Sequence, residues 1–287
     1  MKDKHNFKKG INQWAFPSQM KIENIFKLAK KTGFDGVEVV IAEEGEINLN
    51  STKNDIKKIV ELSKSTGIEI SSLATGLFWD YSLTSDDSLE REKAKTIVKK
   101  MLEVASWLEI DTILIIPGAV DVFFKPDFSI VSYDLAYERS FQALKELTPF
   151  AEDYKVNIAI ENVWNKFLLS PIEMKHFVDS INSPYLGVYF DVGNVLQIGY
   201  PEQWIKILGK RIKKVHFKDF KKSVNTVDGF TNLLYGDINW IKVISALNEI
   251  EYDNYVTAEL FPPKYFPESL VYEISISMDK ILGREGK

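Results

Sequence analysis

The sequence predicts an α/β protein, a single (β/α)8 TIM barrel over residues 1–287. Three observations predict it. Short β-branched runs alternate strictly with longer segments whose apolar residues recur at helical spacing, the signature of parallel βαβ units. Eight strands and eight helices divide the 287 residues into units of about 36, a comfortable size for a closed barrel. The first strand continues as Gly10-Ile-Asn-Gln-Trp-Ala-Phe-Pro, without the glycine-rich phosphate turn that a doubly wound open sheet prefers. No linker, low-complexity tract or shift in composition divides the chain.

The predicted strands cover 9–14, 34–41, 68–75, 112–116, 156–161, 186–191, 212–217 and 255–260. Between the first two, Ile22, Ile25, Phe26 and Ala29 mark one helix face; Ile97, Val98, Met101, Leu102 and Ala105 mark another further on. Ser170 before Pro171 and Tyr200 before Pro201 read as helix starts, because proline is preorganised for the first helical position. Gly33 and Gly67 follow helices and suit left-handed C-terminal caps. Two connections are long, 76–88 and 218–237. Both leave the C-terminal ends of strands, the face where such barrels build active sites.

Composition excludes several classes of function. Lysine and arginine number 36 against 41 acidic residues, so 36 − 41 leaves −5, which argues against a nucleic-acid partner. The absence of cysteine removes disulfides, thiolate catalysis and thiolate zinc sites. The N-terminal MKDKHNFKKG lacks the apolar stretch and cleavage site of a secretory signal. No window approaches 18 uninterrupted apolar residues, so no membrane partner is expected and a cytoplasmic location is. Histidine occurs three times. His5, in the charged N-terminal lead, and His176, on a predicted helix, are expected to be solvated, which leaves His216.

Buried parallel strands read as nearly continuous apolar runs, so an ionisable residue at a strand end needs explaining. The fifth strand ends at Glu161, the sixth at Asp191, the seventh holds His216 and the eighth Glu259. Side chains alternate between barrel interior and helix layer. Ile158 and Ile160 oppose Glu161, Val188 and Phe190 oppose Asp191, Val215 and Phe217 oppose His216, and Val256 and Ala258 oppose Glu259. With the bulky aliphatics facing the helices, all four polar groups point inward at the C-terminal mouth. Each alone has an ordinary explanation, as a helix cap, an ion-pair partner or a hydrogen-bonded core histidine; four coincident placements point instead to one site. Three carboxylates and an imidazole suit one divalent ion, Mn²⁺ or Mg²⁺ first, with Co²⁺ or Zn²⁺ as further options. Glu38 shares the inward parity, as either a substrate or supporting contact or a structural ion pair. Lys218, two positions beyond His216, reaches the mouth or stands solvated at the strand exit. Trp14, Phe78, Trp79 and Trp164 lie at or just beyond strand ends, where they pack or line a pocket.

These residues sit in motifs that resemble the xylose-isomerase-like TIM-barrel superfamily, in its sugar phosphate isomerase/epimerase group. They are IENVWN at 160–165, YFDVGN at 189–194, VHFKDF at 215–220, YGDINW at 235–240 and AEL at 258–260, with SLATGLFWDYSLTSDD at 72–87. The resemblance runs from the first strand to the final helix. It implies one divalent metal held by Glu161, Asp191, His216 and Glu259, with Glu161 and Glu259 also acting as an acid/base pair. The metal polarises a ketose carbonyl and stabilises an enediolate, while one glutamate removes the adjacent proton and the other returns one. Departures narrow the likeness. Asn194 stands where the free-sugar 3-epimerases carry a histidine, Lys166 and Phe167 where they carry a second glutamate, and Lys218–Asp219 where they carry an arginine. The HxKD and DxGN runs look more like the pentulose-phosphate 3-epimerases, which makes Lys218, Lys221 and Lys222 candidate phosphate contacts.

The expected activity is thus a metal-dependent sugar or sugar-phosphate isomerase or epimerase, with Glu38, Asn194, Lys218, Trp14, Trp79 and Trp164 around the substrate. The alternatives are a metal-dependent dehydratase or lyase on the same barrel and a carbohydrate-binding relative without turnover. A three-zinc abasic-site nuclease is disfavoured by the three histidines and the acidic charge. Aromatic residues in the long loops suggest a homodimer or homotetramer.

Overall fold

The computed structural model describes residues 7–284, and His5 lies outside them. Backbone pairing forms β1 (Lys8–Asn12), β2 (Gly36–Val40), β3 (Glu69–Ala74), β4 (Thr112–Ile115), β5 (Asn157–Glu161), β6 (Leu186–Asp191), β7 (Ile212–Phe217), the two short strands β8 (Asp219–Phe220) and β9 (Phe230–Thr231), and β10 (Tyr255–Ala258). Eight of them close as β1-β10-β7-β6-β5-β4-β3-β2, every pair parallel. This is the predicted (β/α)8 barrel. The predicted first strand ends early because the Asn12 side chain accepts a hydrogen bond from the Trp14 amide at 2.6 Å, turning residues Gln13–Ala15 into a 3₁₀ turn.

Helices α1 (Ile22–Lys31), α2 (Lys53–Thr66), α3 (Ser88–Trp107), α4 (Tyr133–Tyr154), α5 (Pro171–Ile181), α6 (Val192–Val195), α7 (Pro201–Leu208), α8 (Trp240–Glu249) and α9 (Ser269–Ile281) follow local signals. Thr52 and Asp55 form a reciprocal capping box at α2, and Gly67 ends that helix in the left-handed conformation with φ 66°. Ser170 caps α5 ahead of Pro171, as the sequence predicts. The helix beyond the eight predicted is α6, a single turn that starts where the Asp191 carboxylate accepts from the Asn194 amide at 2.7 Å. His176 is exposed on α5. No helix among the described residues is long and apolar enough to cross a membrane.

Parity divides the core in two. Val37, Val39, Ile113, Ile115, Ile158, Ile160, Val188, Phe190, Val215 and Phe217 face the helices and join the large core cluster. A small separate cluster of Ala74, Leu114, Ala159 and Tyr189, with Trp14 against it, fills the barrel interior beneath the mouth. The long connections differ from expectation in one respect. The 218–237 segment is not a plain loop, since β8 and β9 pair antiparallel within it. A third long connection, 116–132, follows β4.

Burial also shapes the outer layer. Lys9 on β1 is fully buried, with Nζ 2.7 Å from Asp279 and 2.8 Å from Ser275 on α9. Burial draws its pKa down, against the pull of Asp279. Lys9→Ala should cost about 3 kcal/mol in denaturant unfolding, because it strands Asp279 beside a void; the double replacement Lys9→Met with Asp279→Leu should recover most of that loss.

Candidate functional site

Glu161 ends β5, Asp191 ends β6, His216 lies on β7 and Glu259 follows β10. The closed barrel brings one ligand atom from each within 4.8 Å of the others, and all four residues are buried. Lateral register assists, since Asp191 stands directly opposite His216 on the neighbouring strand.

The imidazole is held from behind. His216 Nε2 donates to Glu38 Oε1 at 2.7 Å. Glu38 Oε1 also accepts from the Asn12 side-chain amide at 2.5 Å, and its Oε2 accepts from the Ser72 hydroxyl at 2.8 Å. Asn12, Glu38 and Ser72 are register partners on β1, β2 and β3, so one layer of the barrel carries the network. Ser72 meets the Tyr189 hydroxyl at 3.1 Å, and the Tyr189 ring tilts against His216 with centroids 4.3 Å apart. Burial would raise the Glu38 pKa, but the charge and hydrogen bond of His216 outweigh it and hold the carboxyl ionised. An ionised carboxylate only accepts, so Nε2 carries a proton and Nδ1 faces the other carboxylates. Burial opposes a charge on His216, but Glu38 and Glu259 outweigh it and raise its pKa, so in the metal-free site Nδ1 is protonated too. From Nδ1, Glu259 lies at 2.9 Å, Glu161 at 3.3 Å and Asp191 at 4.0 Å.

Of the roles expected for Glu38, the geometry matches the supporting contact: it is absent from the cavity lining and fully buried, with both oxygens engaged by Asn12, Ser72 and His216. Asn12, Ser72 and Tyr189 were not among the expected residues. All three share the inward parity that singled out Glu38, and that parity was the available signal.

Lys218 stands in the mouth, with Nζ 2.7 Å from Glu259 and 3.1 Å from Asp191. Burial works against its charge, but Asp191 and Glu259 outweigh burial and raise its pKa. Asp191 Oδ2 and Glu259 Oε2 make no hydrogen bond of good geometry even with that ammonium nearby. Burial pushes Glu161 up to about 7, with the Glu259 charge adding to it. Burial would also raise Glu259, but Lys218 and His216 hold it below the usual carboxylate range. Setting His216 against Glu38, three carboxylates remain against one ammonium, and 3 − 1 leaves two negative charges. A buried excess of that size requires protons or a cation. Oxygen-rich donors with one imidazole nitrogen that gives up its proton on binding fit a divalent ion.

The surrounding motifs are stapled together. Asn162 and Asp191 exchange hydrogen bonds, side-chain amide to carbonyl at 2.8 Å and backbone amide to side chain at 2.9 Å. Asn194 donates its side-chain amide to the Asn162 carbonyl at 3.0 Å, and the Trp164 indole donates to the Asn194 carbonyl at 2.9 Å. Asn194 therefore reaches the cavity with one amide hydrogen already committed. Gly193 is required because a methyl group there would overlap Lys218. Asp219 is fully buried and accepts from the amides of Leu234 at 2.9 Å and Ile238 at 3.2 Å, and from the Trp240 indole at 3.1 Å. A methyl at Gly236 would overlap that carboxylate. VHFKDF and YGDINW are thus two halves of one loop clasp.

Above the cluster opens a cavity of about 420 Å³ whose lining includes Trp14, Trp79, Trp164, Asn194 and Lys218, together with Glu161 and Glu259. Phe78 does not line it and is buried in the core instead. Lys221 and Lys222 are exposed and also absent from the lining. They follow β8, which pairs with β9. Phe123 and Phe124, from the third long connection, join the wall.

A family model described as xylose isomerase-like TIM barrel matches residues 26–278. The chain is 28% identical over 260 residues to an uncharacterised protein of Methanocaldococcus jannaschii, covering 88% of this chain and 84% of that one. It is 26% identical to a putative L-ribulose-5-phosphate 3-epimerase of Haemophilus influenzae, covering 89% of each. A solved D-tagatose 3-epimerase-like protein superposes with a TM-score of 0.76 at 24% identity, covering 96% of this chain and 98% of that one.

The clasp is testable without any ligand. Asp219→Ala should accelerate hydrogen exchange at the Leu234 and Ile238 amides by at least tenfold while the barrel amides keep their protection, because each bond to a buried carboxylate is worth about 1.5–3 kcal/mol.

Proposed function

This chain belongs to the xylose isomerase-like TIM-barrel family, and we propose that it is a divalent-metal-dependent epimerase or isomerase of sugars. The observation that carries this reading is the convergence of Glu161, Asp191, His216 Nδ1 and Glu259 on one point at the floor of the cavity. The relatives named as L-ribulose-5-phosphate 3-epimerases support it. Those four side chains would hold the ion, with Mn²⁺ or Mg²⁺ favoured by the oxygen-rich set. When bound, such an ion supplies Lewis-acid polarisation of a carbonyl oxygen beside the proton to be moved.

The rest of the chemistry falls to the chain. Glu161 and Glu259 flank Asp191 and His216, since β6 and β7 lie between β5 and β10 in the barrel. One glutamate takes the proton from the carbon next to the carbonyl, and the other returns a proton. Return to the opposite face of the same carbon inverts it; return to the neighbouring carbon interconverts ketose and aldose. Lys218, between Asp191 and Glu259 in the metal-free site, keeps Glu259 ionised and ready to ligate. The aromatic walls exclude water from the carbanion-like stage.

Chelation should abolish turnover of a responsive ketose, and added Mn²⁺ should restore it. Glu161→Gln and Glu259→Gln should each lower kcat by about 10²–10⁴-fold, the usual weight of a positioned acid or base. The deciding experiment is incubation with a ketose panel in deuterium oxide. Deuterium at the carbon beside the carbonyl is expected in product and recovered substrate; loss of water or carbon fragments without isomerisation would replace this reading with a dehydratase or lyase.

The support behind His216 has its own test. Glu38→Gln should weaken Mn²⁺ binding by about 10–100-fold, as loss of an outer hydrogen-bond partner does. Mn²⁺ affinity should rise with pH across neutrality, because Glu161, pushed up to about 7 in the metal-free site, must release its proton before it can ligate. Titration calorimetry in buffers of different ionisation enthalpy reads both the affinity and the released protons.

A further inference from the structure

We infer that the sugar taken by this cavity carries an apolar group, not a phosphate, at its end away from the carboxylate–imidazole cluster. The inference rests on the reading above that the cavity takes a sugar, and it comes from how polar groups are distributed along the walls.

Every charged group in the cavity lies at its floor, where Glu161, Glu259 and Lys218 meet. The Lys218 ammonium is already shared between Glu259 and Asp191. Higher up, Thr75 donates to the Ile41 carbonyl at 2.7 Å and accepts from the Leu77 amide at 3.2 Å. Asn194 gives one amide hydrogen to the Asn162 carbonyl and Asn232 gives one to Glu273 at 2.7 Å; what each has left is neutral. Thr231 and the indole N–H groups of Trp14 and Trp79 complete the polar groups of the lining, and none of them carries a charge.

A phosphate monoester brings a charge of about −1.5 to −2 and three acceptor oxygens, and it is met by arginine, lysine or a run of free amides. No arginine is in the lining. Lys125 and Lys166 lie near the mouth but outside that lining, paired with Asp80 and Asp121. The floor carboxylates add repulsion.

The wall itself is a continuous aromatic surface. Trp79 meets Phe124 edge-on with centroids 4.9 Å apart, Phe124 meets Phe123 at 5.1 Å, Phe123 meets Trp164 at 6.1 Å, and Trp164 meets Phe230 at 5.1 Å. Across from it Trp14 stacks on Phe261 at 6.3 Å. A hydroxyl buried against such a surface loses its water without gaining a partner. A methyl or aromatic group there gains burial and ring contact instead. The volume of about 420 Å³ falls in the range of pockets that hold drug-sized ligands, which leaves room for an aromatic end.

Three probes differ only at that end: 6-deoxy-D-fructose, 6-O-benzyl-D-fructose and D-fructose 6-phosphate. None can close the six-membered ring, so ring form does not bias the comparison. Calorimetric binding to the Mn²⁺-loaded protein, with free Mn²⁺ held constant, should show the deoxy sugar at least tenfold tighter than the phosphate, and the benzyl ether tighter still. Phe124→Ala should reduce the benzyl advantage at least fivefold. The phosphate binding tightest, or none of the three binding at millimolar concentration, would overturn the inference. Turnover scored on the same samples separates the two claims. Preferred binding of the apolar probes without proton exchange overturns the epimerase reading and leaves this one standing; efficient exchange with the phosphate alone does the reverse.

Discussion

The hydrogen bond from His216 to Glu38 is the constraint on which the rest of the site depends. It spans the barrel interior from β7 to β2 and holds a proton on Nε2. With Nε2 committed, Nδ1 can only present a lone pair or a second proton to Glu161, Asp191 and Glu259. A lone pair facing three carboxylates is tolerable only with a cation among them. The cluster is therefore frustrated by construction: its stable fillings are protons, with the Lys218 ammonium alongside, or a divalent ion.

That frustration has a structural cost, which the layers beneath and above absorb. Beneath, Asn12, Ser72 and Tyr189 saturate Glu38 and wedge the ring, so the charged pair is fully hydrogen-bonded despite its burial. Above, Asn162, Asn194 and Trp164 lock the ends of β5 and β6 together. Asp219 gathers the 218–239 segment around its carboxylate. Each group thus has a rigid frame, the condition for holding ligand or acid/base geometry within a few tenths of an ångström.

Much of this was legible in the sequence because strand parity survives folding so cleanly. The alternation that sets Val215 and Phe217 against His216 decides core from mouth, and the closed register then makes the four strand ends converge. Glu38 shows the limit. Parity places it inward but does not say how deep, and depth separates a substrate contact from a support for His216. Lys218 illustrates a second limit, since a strand-exit lysine faces solvent or site according to what stands opposite, here Asp191 and Glu259. The third long connection carries no strand or helix period that would mark it in the sequence. It nonetheless supplies Phe123 and Phe124 to the wall. Lys221 and Lys222 follow the motif that holds Lys218 in the sequence, which does not reveal that they stand exposed outside the cavity lining.

The central claim is that the His216–Glu38 bond sets out a four-donor site for one divalent ion. A crystal structure of the protein soaked in Mn²⁺, with anomalous data, tests it most directly. One strong anomalous peak per chain is expected, bonded to His216 Nδ1 and to one oxygen each of Glu161, Asp191 and Glu259, with Nε2 still on Glu38 and the Lys218 ammonium displaced from the carboxylates. No peak at that point, or a peak ligated through Nε2 with the Glu38 bond broken, would contradict it.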